Sequence, residues 1–476
     1  MNYDEKVRRL ETHGVGHLLW EFSLPAIFAA VVNALQGIIN RIFVGQTLGE
    51  IGMTAVTVTF PIITIMLAVG MTIGIGSNTL ISIRLGEKKN KEAEEVVGQS
   101  LFLFMLFGIG FMLFGLLFQE PLLRLFGTSD RVMPHAKMYL SVMVCGAFFH
   151  EMSFGVNSFL RSEGKPKTAM NTTVIMVLLN VFFDWLFLIV LHTDIWGAAL
   201  ATILAQICSS AWVAWHYIYG STLLRWRWKY IRWNPKLAKE VFILGMPPFL
   251  FQAVTCVIQA IQIRQIAYYG HLYGEKHGFE NGGDTAIGAF GIVFVVWMLT
   301  VFPLIGLNQG AQSIIGYNIG AKHYRRVART LKLTLISALV FALVCSVILF
   351  VFPETILYPF VPQQDGETML MLGCRAVRFF VIFFPIGALV MAMTSYYQAI
   401  GEAKTAIVLS LIRQAVMLIP ALIFLPLYFG LDGVWLSLPL CDAGTFLPAA
   451  VLLWMEWRRL KTLGGLKTLE KVQEPV

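Results

Sequence analysis

Residues 171–205, NTTVIMVLLNVFFDWLFLIVLHTDIWGAALATILA, decide the fold. The stretch predicts a membrane-spanning helix, a very short loop and the start of a second span. The first span holds one carboxylate, Asp184, and Asn180 lies four residues before it. Residues at this spacing project from the same face of a helix. Because an acid at this depth in hydrocarbon is costly unless it faces a polar interior, Asp184 marks a candidate functional site.

The composition of the whole chain indicates a membrane protein. Its 476 residues are 57% hydrophobic and 13% charged, with a mean hydropathy of +0.70. A soluble protein carries roughly 25% charged residues. The apolar residues also form long blocks, near the roughly 20 residues that one bilayer-spanning helix needs. We therefore predict an all-α polytopic membrane protein, in contact with membrane lipid.

The apolar blocks predict twelve transmembrane helices, and the connections between them alternate in charge. The expected spans are 18–44, 53–83, 96–118, 134–160, 168–191, 195–219, 240–268, 284–318, 328–352, 373–399, 406–429 and 432–456. Most of the 36 basic residues fall in the termini and in every second connection, whereas the alternate connections hold only Arg124, Arg131 and Lys276. The positive-inside rule then places both termini in the cytoplasm and the protein in the plasma membrane. The net charge of +8 is thus a topology signal, and we expect no nucleic-acid partner.

Two halves of the chain resemble each other. The motif EGKPKTAM at 163–170 returns as IGEAKTAI at 400–407, and DIWGAAL at 194–200 returns as LDGVWLS at 431–437. This duplication predicts two pseudo-symmetric six-helix bundles around a central cavity, related by an axis along the membrane normal. The predicted domains are an N-terminal lobe (1–219), a cytoplasmic inter-lobe linker (220–239), a C-terminal lobe (240–460) and a cytoplasmic tail (461–476).

Shorter landmarks repeat in the same register. Pro25 opens the first span and Pro247 opens the seventh. The glycines that follow the second, fourth, eighth and tenth spans are expected to end helices in the left-handed conformation. They are Gly86, Gly164, Gly320 and Gly401.

Motifs typical of enzymes are absent from the sequence. It contains no Walker loop, no HExxH and no nucleophile elbow with its triad. The six cysteines are scattered through apolar stretches, and none forms a CxxC pair. We expect a protein that is not an enzyme and holds no cofactor.

Several motifs together resemble those of the multidrug and toxic compound extrusion (MATE) family, closest to its bacterial MepA-like and DinF-like branch. They include LNVFFD at 179–184, GAALAT at 197–202, GLNQGAQ at 306–312 and GLDGVW at 430–435. The larger superfamily also holds flippases of lipid-linked oligosaccharides. The resemblance implies cation-driven export of bulky, often cationic and aromatic compounds by alternating access, and we expect a monomer.

The resemblance also implies a cation site in the N-terminal lobe, formed by Asp184, Asn180, Thr202 and an acid in the first span. That last position holds Asn40 here, whereas many relatives have aspartate. We therefore predict that Asp184 alone carries the ionisable role. It would bind a proton, or Na⁺ together with Asn180, because a desolvated carboxylate can accept either ion.

Further polar residues in the spans are candidates for lining the substrate cavity, although such residues also join helices to one another. They are Asn33, Gln36, Tyr139, Asn157, Gln252 and Gln259. Three more charges lie inside spans. Arg413 is expected to extend to the cytoplasmic interface, and Glu151 and Arg264 are expected to have partner charges.

We expect multidrug efflux by H⁺ or Na⁺ antiport, with hydrophobic and cationic compounds as cargo. A lipid-linked oligosaccharide flippase is the alternative, because its anionic cargo would need several basic side chains in the cavity. The candidates for that role are Arg41, Arg264, Arg375 and Arg378. A membrane-embedded enzyme is disfavoured, since no paired acids or histidine cluster lie at one depth.

Overall fold

The computed structural model describes residues 13–126, 128, 130–219, 224–278, 282–360 and 366–473, and these contain no β-strand. We call residues 13–219 the N-terminal half and residues 235–473 the C-terminal half. The N-terminal half contains α1 (Val15–Gly86), α2 (Asn90–Leu117), α3 (Gln119–Leu125), α4 (Met133–Cys145), α5 (Ala147–Ser162), α6 (Pro166–Asp184) and α7 (Trp196–Tyr219). The C-terminal half contains α8 (Pro235–His277), α9 (Gly282–Gly320), α10 (Tyr324–Val351), α11 (Pro353–Leu357), α12 (Gly366–Val381), α13 (Phe384–Ala399), α14 (Ala403–Leu411), α15 (Ile419–Phe429) and α16 (Leu431–Gln473). Two π-helical segments, Trp185–Val190 and Ile412–Leu418, continue α6 and α14.

Ten helical segments of the described chain are long and apolar enough to cross a membrane. Two further spans are bent pairs, α4 with α5 and α12 with α13, each bent by 53°. Counting each pair as one span gives the predicted twelve, and the predicted all-α polytopic class is confirmed. The first bend occurs at Gly146, where a Cβ atom would lie 2.3 Å from Cδ1 of Ile203. Only glycine lets α7 pass this close.

Several predicted boundaries are wrong. The first two spans, Val15–Leu48 and Ile51–Gly86, follow each other within one continuous helical assignment, without the expected loop. The seventh span begins at Pro235 rather than at 240, because the Asn234 side chain caps α8 by accepting hydrogen bonds from the backbone nitrogens of Lys236 and Leu237 at 3.1 and 3.3 Å. Helix α16 continues as far as Gln473, and the assignment of residues 461–476 to a cytoplasmic tail stays a prediction.

Two of the four landmark glycines have a role other than the expected one. Gly164 and Gly401 do adopt positive φ values, 76° and 84°. Gly86 and Gly320 do not, and instead they let α1 and α9 touch. A Cβ atom on Gly86 would lie 2.1 Å from the Tyr317 carbonyl oxygen, and one on Gly320 would lie 2.1 Å from the Ile83 carbonyl oxygen. These glycines permit close approach of two backbones.

The buried hydrophobic clusters differ between the two ends of the helices. We call the end at which α1 begins the basic end, because the basic connections lie there. One hydrophobic cluster at this end draws on both halves and includes Leu18, Ile81, Leu244 and Ile314. At the opposite end each half has a cluster of its own, one around Met66 and the other around Trp435. Among the described residues, the halves therefore share a hydrophobic core only at the basic end.

The connection between the halves packs against α2. In residues 224–234 the Arg227 Nε atom pairs with the Glu94 carboxylate at 2.9 Å, and the Asn234 backbone nitrogen donates to Gln99 Oε1 at 2.8 Å. Trp226 stacks on Tyr217 with a ring separation of 5.3 Å. Residues 220–223 of the predicted linker lie outside the described residues. The described part of the linker is thus anchored to the N-terminal half.

Candidate functional site

Asp184 is the last α-helical residue of α6, and the π-helical segment Trp185–Val190 follows it directly. Such π segments often occur at functional sites. The Asp184 side chain is fully buried, and neither carboxylate oxygen has a hydrogen-bond partner among the described residues. Apolar side chains of Met176, Val177 and Ala205 form the small core of this region, with Phe183 packed against it. The site therefore holds an acid that nothing described neutralises.

A line of polar side chains runs beside Asp184 and connects three helices. Gln36 Nε2 on α1 donates to Asn180 Oδ1 on α6 at 2.8 Å. The amide nitrogens of Asn180 and Asn40 both approach the Thr202 hydroxyl on α7 at 3.5 Å, which is long for a hydrogen bond. Thr202 in turn donates to the Ala198 carbonyl at 3.1 Å. The structure thus joins three of the predicted residues, Asn40, Asn180 and Thr202, and adds Gln36, which the sequence placed only among the cavity candidates. Asp184 lies one helical turn beyond Asn180 on α6.

The other cavity candidates are distributed differently. Tyr139 is buried on α4, within electrostatic range of Asp184. Asn33 on α1 and Gln252 and Gln259 on α8 are partly exposed, and no hydrogen bond among the described residues joins them to the Asp184 group. Their cavity-lining role stays a prediction.

Asn157, the remaining cavity candidate, makes hydrogen bonds to neighbouring helix residues, and its cavity-lining role stays a prediction. Its side chain is buried, its Nδ2 donates to the Ala169 carbonyl at 2.7 Å and to Thr173 Oγ1 at 3.0 Å, and its Oδ1 accepts from Arg161 at 2.5 Å. The Nδ2 bonds join α5 to α6, and the Oδ1 bond lies within α5. Asn157 is therefore part of a structural polar cluster nearer the basic end.

The intramembrane charges also differ from expectation. Arg413 does not extend to an interface. Its Nε atom pairs with Asp442 Oδ1 at 2.8 Å inside the C-terminal half, because Asp442 on α16 faces the π-helical segment that carries Arg413. Arg264 is exposed, and Glu151 is fully buried without a charged partner among the described residues. Sequence reasoning missed the ion pair, although Asp442 was visible as an acid in the last span.

Charges at the opposite end of the C-terminal half are of both signs. Arg375 pairs with Asp432 at 2.5 Å and approaches the Tyr273 hydroxyl at 3.4 Å. A cavity of about 680 Å³ there is lined by Arg375 and Arg378 together with Glu354 and Glu367. The side chain of Arg41, the remaining basic candidate for an anionic cargo, lies outside the described residues. The lining does not form a purely basic surface.

Membrane-spanning helices surround a buried carboxyl that no described residue neutralises. Comparison with known proteins identifies this fold as that of an integral membrane transporter. A model of the family described as MatE matches residues 25–186 and 279–423. Solved structures share the fold: an outward-facing MATE transporter has a TM-score of 0.87 at 21% identity, covering 95% of this chain and 98% of the other. The MATE multidrug transporter DinF-BH, solved as a complex, has a TM-score of 0.83 at 31% identity, covering 93% and 96%. The chain belongs to the MATE family.

Curated relatives match over almost their whole length. The multidrug export protein MepA of Staphylococcus aureus (strain MSSA476) is 24% identical over 457 residues, covering 96% of this chain and 97% of the relative. The MepA protein of Staphylococcus saprophyticus is 25% identical over 458 residues with the same coverage. The family prediction is confirmed.

Proposed function

We propose that the protein exports hydrophobic and cationic compounds in exchange for a cation that moves inward. The relatives named as multidrug export proteins cover nearly the full chain, and the DinF-BH structure is described as that of a multidrug transporter. The single observation that carries the proposal here is Asp184, a fully buried carboxyl with no described partner. Binding of a cation there neutralises a charge inside the fold, and this difference can bias one conformation over the other.

A proton suits the Asp184 group better than Na⁺. The amide oxygen of Asn180 already accepts from Gln36, and the Thr202 hydroxyl is engaged with Ala198, Asn180 and Asn40. Na⁺ would need several of these oxygens turned toward it. A proton needs only the carboxylate itself, so H⁺ is the proposed coupling ion and Na⁺ the alternative.

The proposed mechanism is alternating access between two lobes, residues 1–219 and 240–460. With the basic end in the cytoplasm, the shared core closes the cytoplasmic side and the two separate cores leave the outer side free to open. Protonation of Asp184 from outside would favour closure of the outer side, and release of that proton inside would reset the carrier. The proposed unit is a monomer in the plasma membrane.

The test uses the purified protein in proteoliposomes with an imposed pH or Na⁺ gradient and ethidium as cargo. Wild-type protein should move ethidium under the pH gradient. Asp184→Asn should reduce gradient-driven transport to the level of empty vesicles, because the amide cannot be protonated. Asp130→Asn, at a side chain that is 88% exposed, is the control and should transport normally. Undiminished transport by Asp184→Asn would refute the role of this carboxyl.

An oligosaccharide flippase is the weaker alternative. One neighbouring structure, from Pyrococcus furiosus, carries the description that a reverse polarity of its binding pocket suggests a different function; it shares 22% identity and a TM-score of 0.87, which supports the fold alone. In this chain Arg375 is paired with Asp432, and Arg378 shares its cavity with two glutamates. A mixed lining of this kind does not favour an anionic pyrophosphate cargo.

A further inference from the structure

Glu151 is a second acid buried inside the N-terminal half. It lies on α5 with 0% of its surface exposed, and neither carboxylate oxygen has a hydrogen-bond partner among the described residues. The packing around it is tight. A Cβ atom on Gly70 of α1 would lie 3.0 Å from Glu151 Cα, and one on Gly74 would lie 2.6 Å from Gly155 Cα. A carboxyl in such a place is retained at a cost, as an apolar side chain would fill the same space.

No basic side chain surrounds Glu151 within the described residues. The helices packed against α5 are α1, α2, α4, α6, α7 and α9. Five stretches of these helices that lie beside α5 contain no lysine or arginine. They are 68–77, 97–104, 172–184, 199–210 and 304–316. Lys137 and His135 lie at the far end of α4, where Lys137 pairs with Glu120 at 2.5 Å. The titratable groups in these surroundings are His150, Asp184, Tyr139, Cys145 and Cys208. None of these is a permanent cation that could neutralise the carboxylate.

The neighbouring face of α5 is polar as well. The side-chain amide nitrogen of Gln206 on α7 lies 2.8 Å from Nδ1 of His150. Because an amide nitrogen only donates, Nδ1 accepts and the neutral ring carries its proton on Nε2. His150 is buried, and its Nε2 atom has no hydrogen-bond partner among the described residues. The histidine therefore supplies a polar neighbour rather than a compensating charge.

In the C-terminal half, the positions equivalent to those around Glu151 contain an acid that is neutralised by a basic partner. Aligning Gly164 with Gly401 places Glu151 opposite Ala388, and it places Met176 opposite Arg413. Aligning Gly197 with Gly433 places Gln206 opposite Asp442. The C-terminal half thus holds a permanent ion pair at this level, with Nε and Oδ1 atoms 2.8 Å apart. The N-terminal half holds one acid without a described counter-ion.

Glu151 also lies between Asp184 and the basic end. With a rise of 1.5 Å per residue, Glu151 is about 17 Å along α5 from its end at Ser162, and Asp184 is about 27 Å along α6 from Pro166. The buried cluster of Asn157 and Arg161 lies farther toward that end. Polar groups therefore occur at successive depths on the side of Asp184 that faces the basic end.

We propose that Glu151 is a second proton-binding carboxyl of the transport cycle. This proposal rests on the proposed function and deepens it, since it assigns a second coupling proton to the N-terminal half. In the conformation described, the Glu151 carboxyl is neutral and carries one proton. When the basic end opens and water reaches α5, that proton leaves to the cytoplasm and the carboxylate remains; a proton from outside restores it in the next cycle. Each cycle then moves one proton through Asp184 and one through Glu151.

The number of protons sets the steepest cargo gradient that the protein can sustain. At zero membrane potential and for a cargo whose charge stays constant, each coupled proton contributes a factor of about ten per pH unit, the equivalent of about 1.4 kcal/mol. Wild-type protein in proteoliposomes should therefore reach a limiting ethidium ratio about tenfold higher than Glu151→Gln at one pH unit. A purely structural substitution would change the rate of approach and leave this limit unaltered. Glu275→Gln, at a side chain 64% exposed, is the control and should keep the wild-type limit.

A wild-type limit in the Glu151→Gln protein would overturn the proposal. Should this variant not transport at all, infrared difference spectra between low and high pH decide: the loss of one titrating carboxyl band relative to wild type supports the proposal, and unchanged spectra refute it. Asp184→Asn should remove a different band. If vesicles with wild-type protein build up no ethidium gradient, this result counts against the proposed export function alone. The infrared measurement tests Glu151 without transport.

Discussion

Arg413 and Asp442 form a buried ion pair inside the C-terminal half, with side chains 14% and 1% exposed. Gly387 makes room for it, since a Cβ atom there would lie 2.3 Å from Asp442 Oδ2. A buried pair gains little over apolar residues, but removal of one partner leaves an uncompensated charge. The effect on stability of removing one member of this ion pair should therefore depend strongly on whether the other member is present.

A pair of substitutions tests this dependence. Asp442→Asn should destabilise the protein by about 3–5 kcal/mol, because the buried Arg413 loses its counter-charge. The double variant Arg413→Met, Asp442→Asn removes both charges and should recover most of that loss. The measurement is thermal unfolding in detergent, followed by intrinsic fluorescence. A double variant no more stable than the single one would show that the pair contributes through some other contact.

At the scale of helices, glycines determine how close the two halves come at the basic end. A Cβ atom on Gly245 of α8 would lie 1.9 Å from the Thr72 carbonyl oxygen, and one on Gly306 of α9 would lie 2.5 Å from Ile27 Cα. Both distances are far shorter than a van der Waals contact. The closed arrangement of this end therefore needs a bare backbone at these positions.

Gly245→Ala should slow export and favour the conformation open at the basic end, because the added methyl group forces α8 away from α1. The rate of ethidium transport in proteoliposomes measures the effect. Gly110→Ala on α2 is the matched control, since a Cβ atom there meets nothing within 4 Å and alanine adds about 1 kcal/mol of helix propensity. Equal transport by the two variants would argue against a packing role for Gly245.

At the scale of the whole molecule, the halves are joined at one end and have independent cores at the other. Shared packing resists separation, because protein interiors are close-packed and repack between discrete arrangements rather than deform continuously. The opposite end, where the described residues form no common core, can change its spacing at lower cost. This contrast predicts rocking about the middle of the membrane.

Spin-label distances can detect such a motion. One pair of labels at Ile42 and Tyr268 joins α1 to α8 at the end opposite the basic end, and a second pair at Trp20 and Ile243 joins the same helices at the basic end. All four side chains are exposed. When the pH is changed to drive the cycle, the Ile42–Tyr268 distance should shorten while the Trp20–Ile243 distance lengthens. Changes of the same sign, or none, would contradict rocking.

The sequence predicted the number of spans and the buried acid because hydrophobic length and an isolated charge are local signals. It could not predict that Asn157 bonds within α5 and α6, or that Arg413 meets Asp442, since both depend on which faces of distant helices meet. It also misjudged the start of α8, where a single capping side chain, Asn234, adds a turn. Pairwise packing is the information that one sequence lacks.

The glycine contacts between the halves have a further property. Gly86 packs against residues 317–321, and Gly320 packs against Ile83 and Glu87, the positions related to them by the duplication. Gly76 likewise meets Gly245, while Gly310 meets Ser23; aligning Pro25 with Pro247 makes Ser23 the counterpart of Gly245. The glycine-containing surface of each half thus contacts the equivalent surface of the other half, as in an isologous interface. The two halves of this single chain therefore meet through equivalent surfaces, as the two copies of a homodimer do.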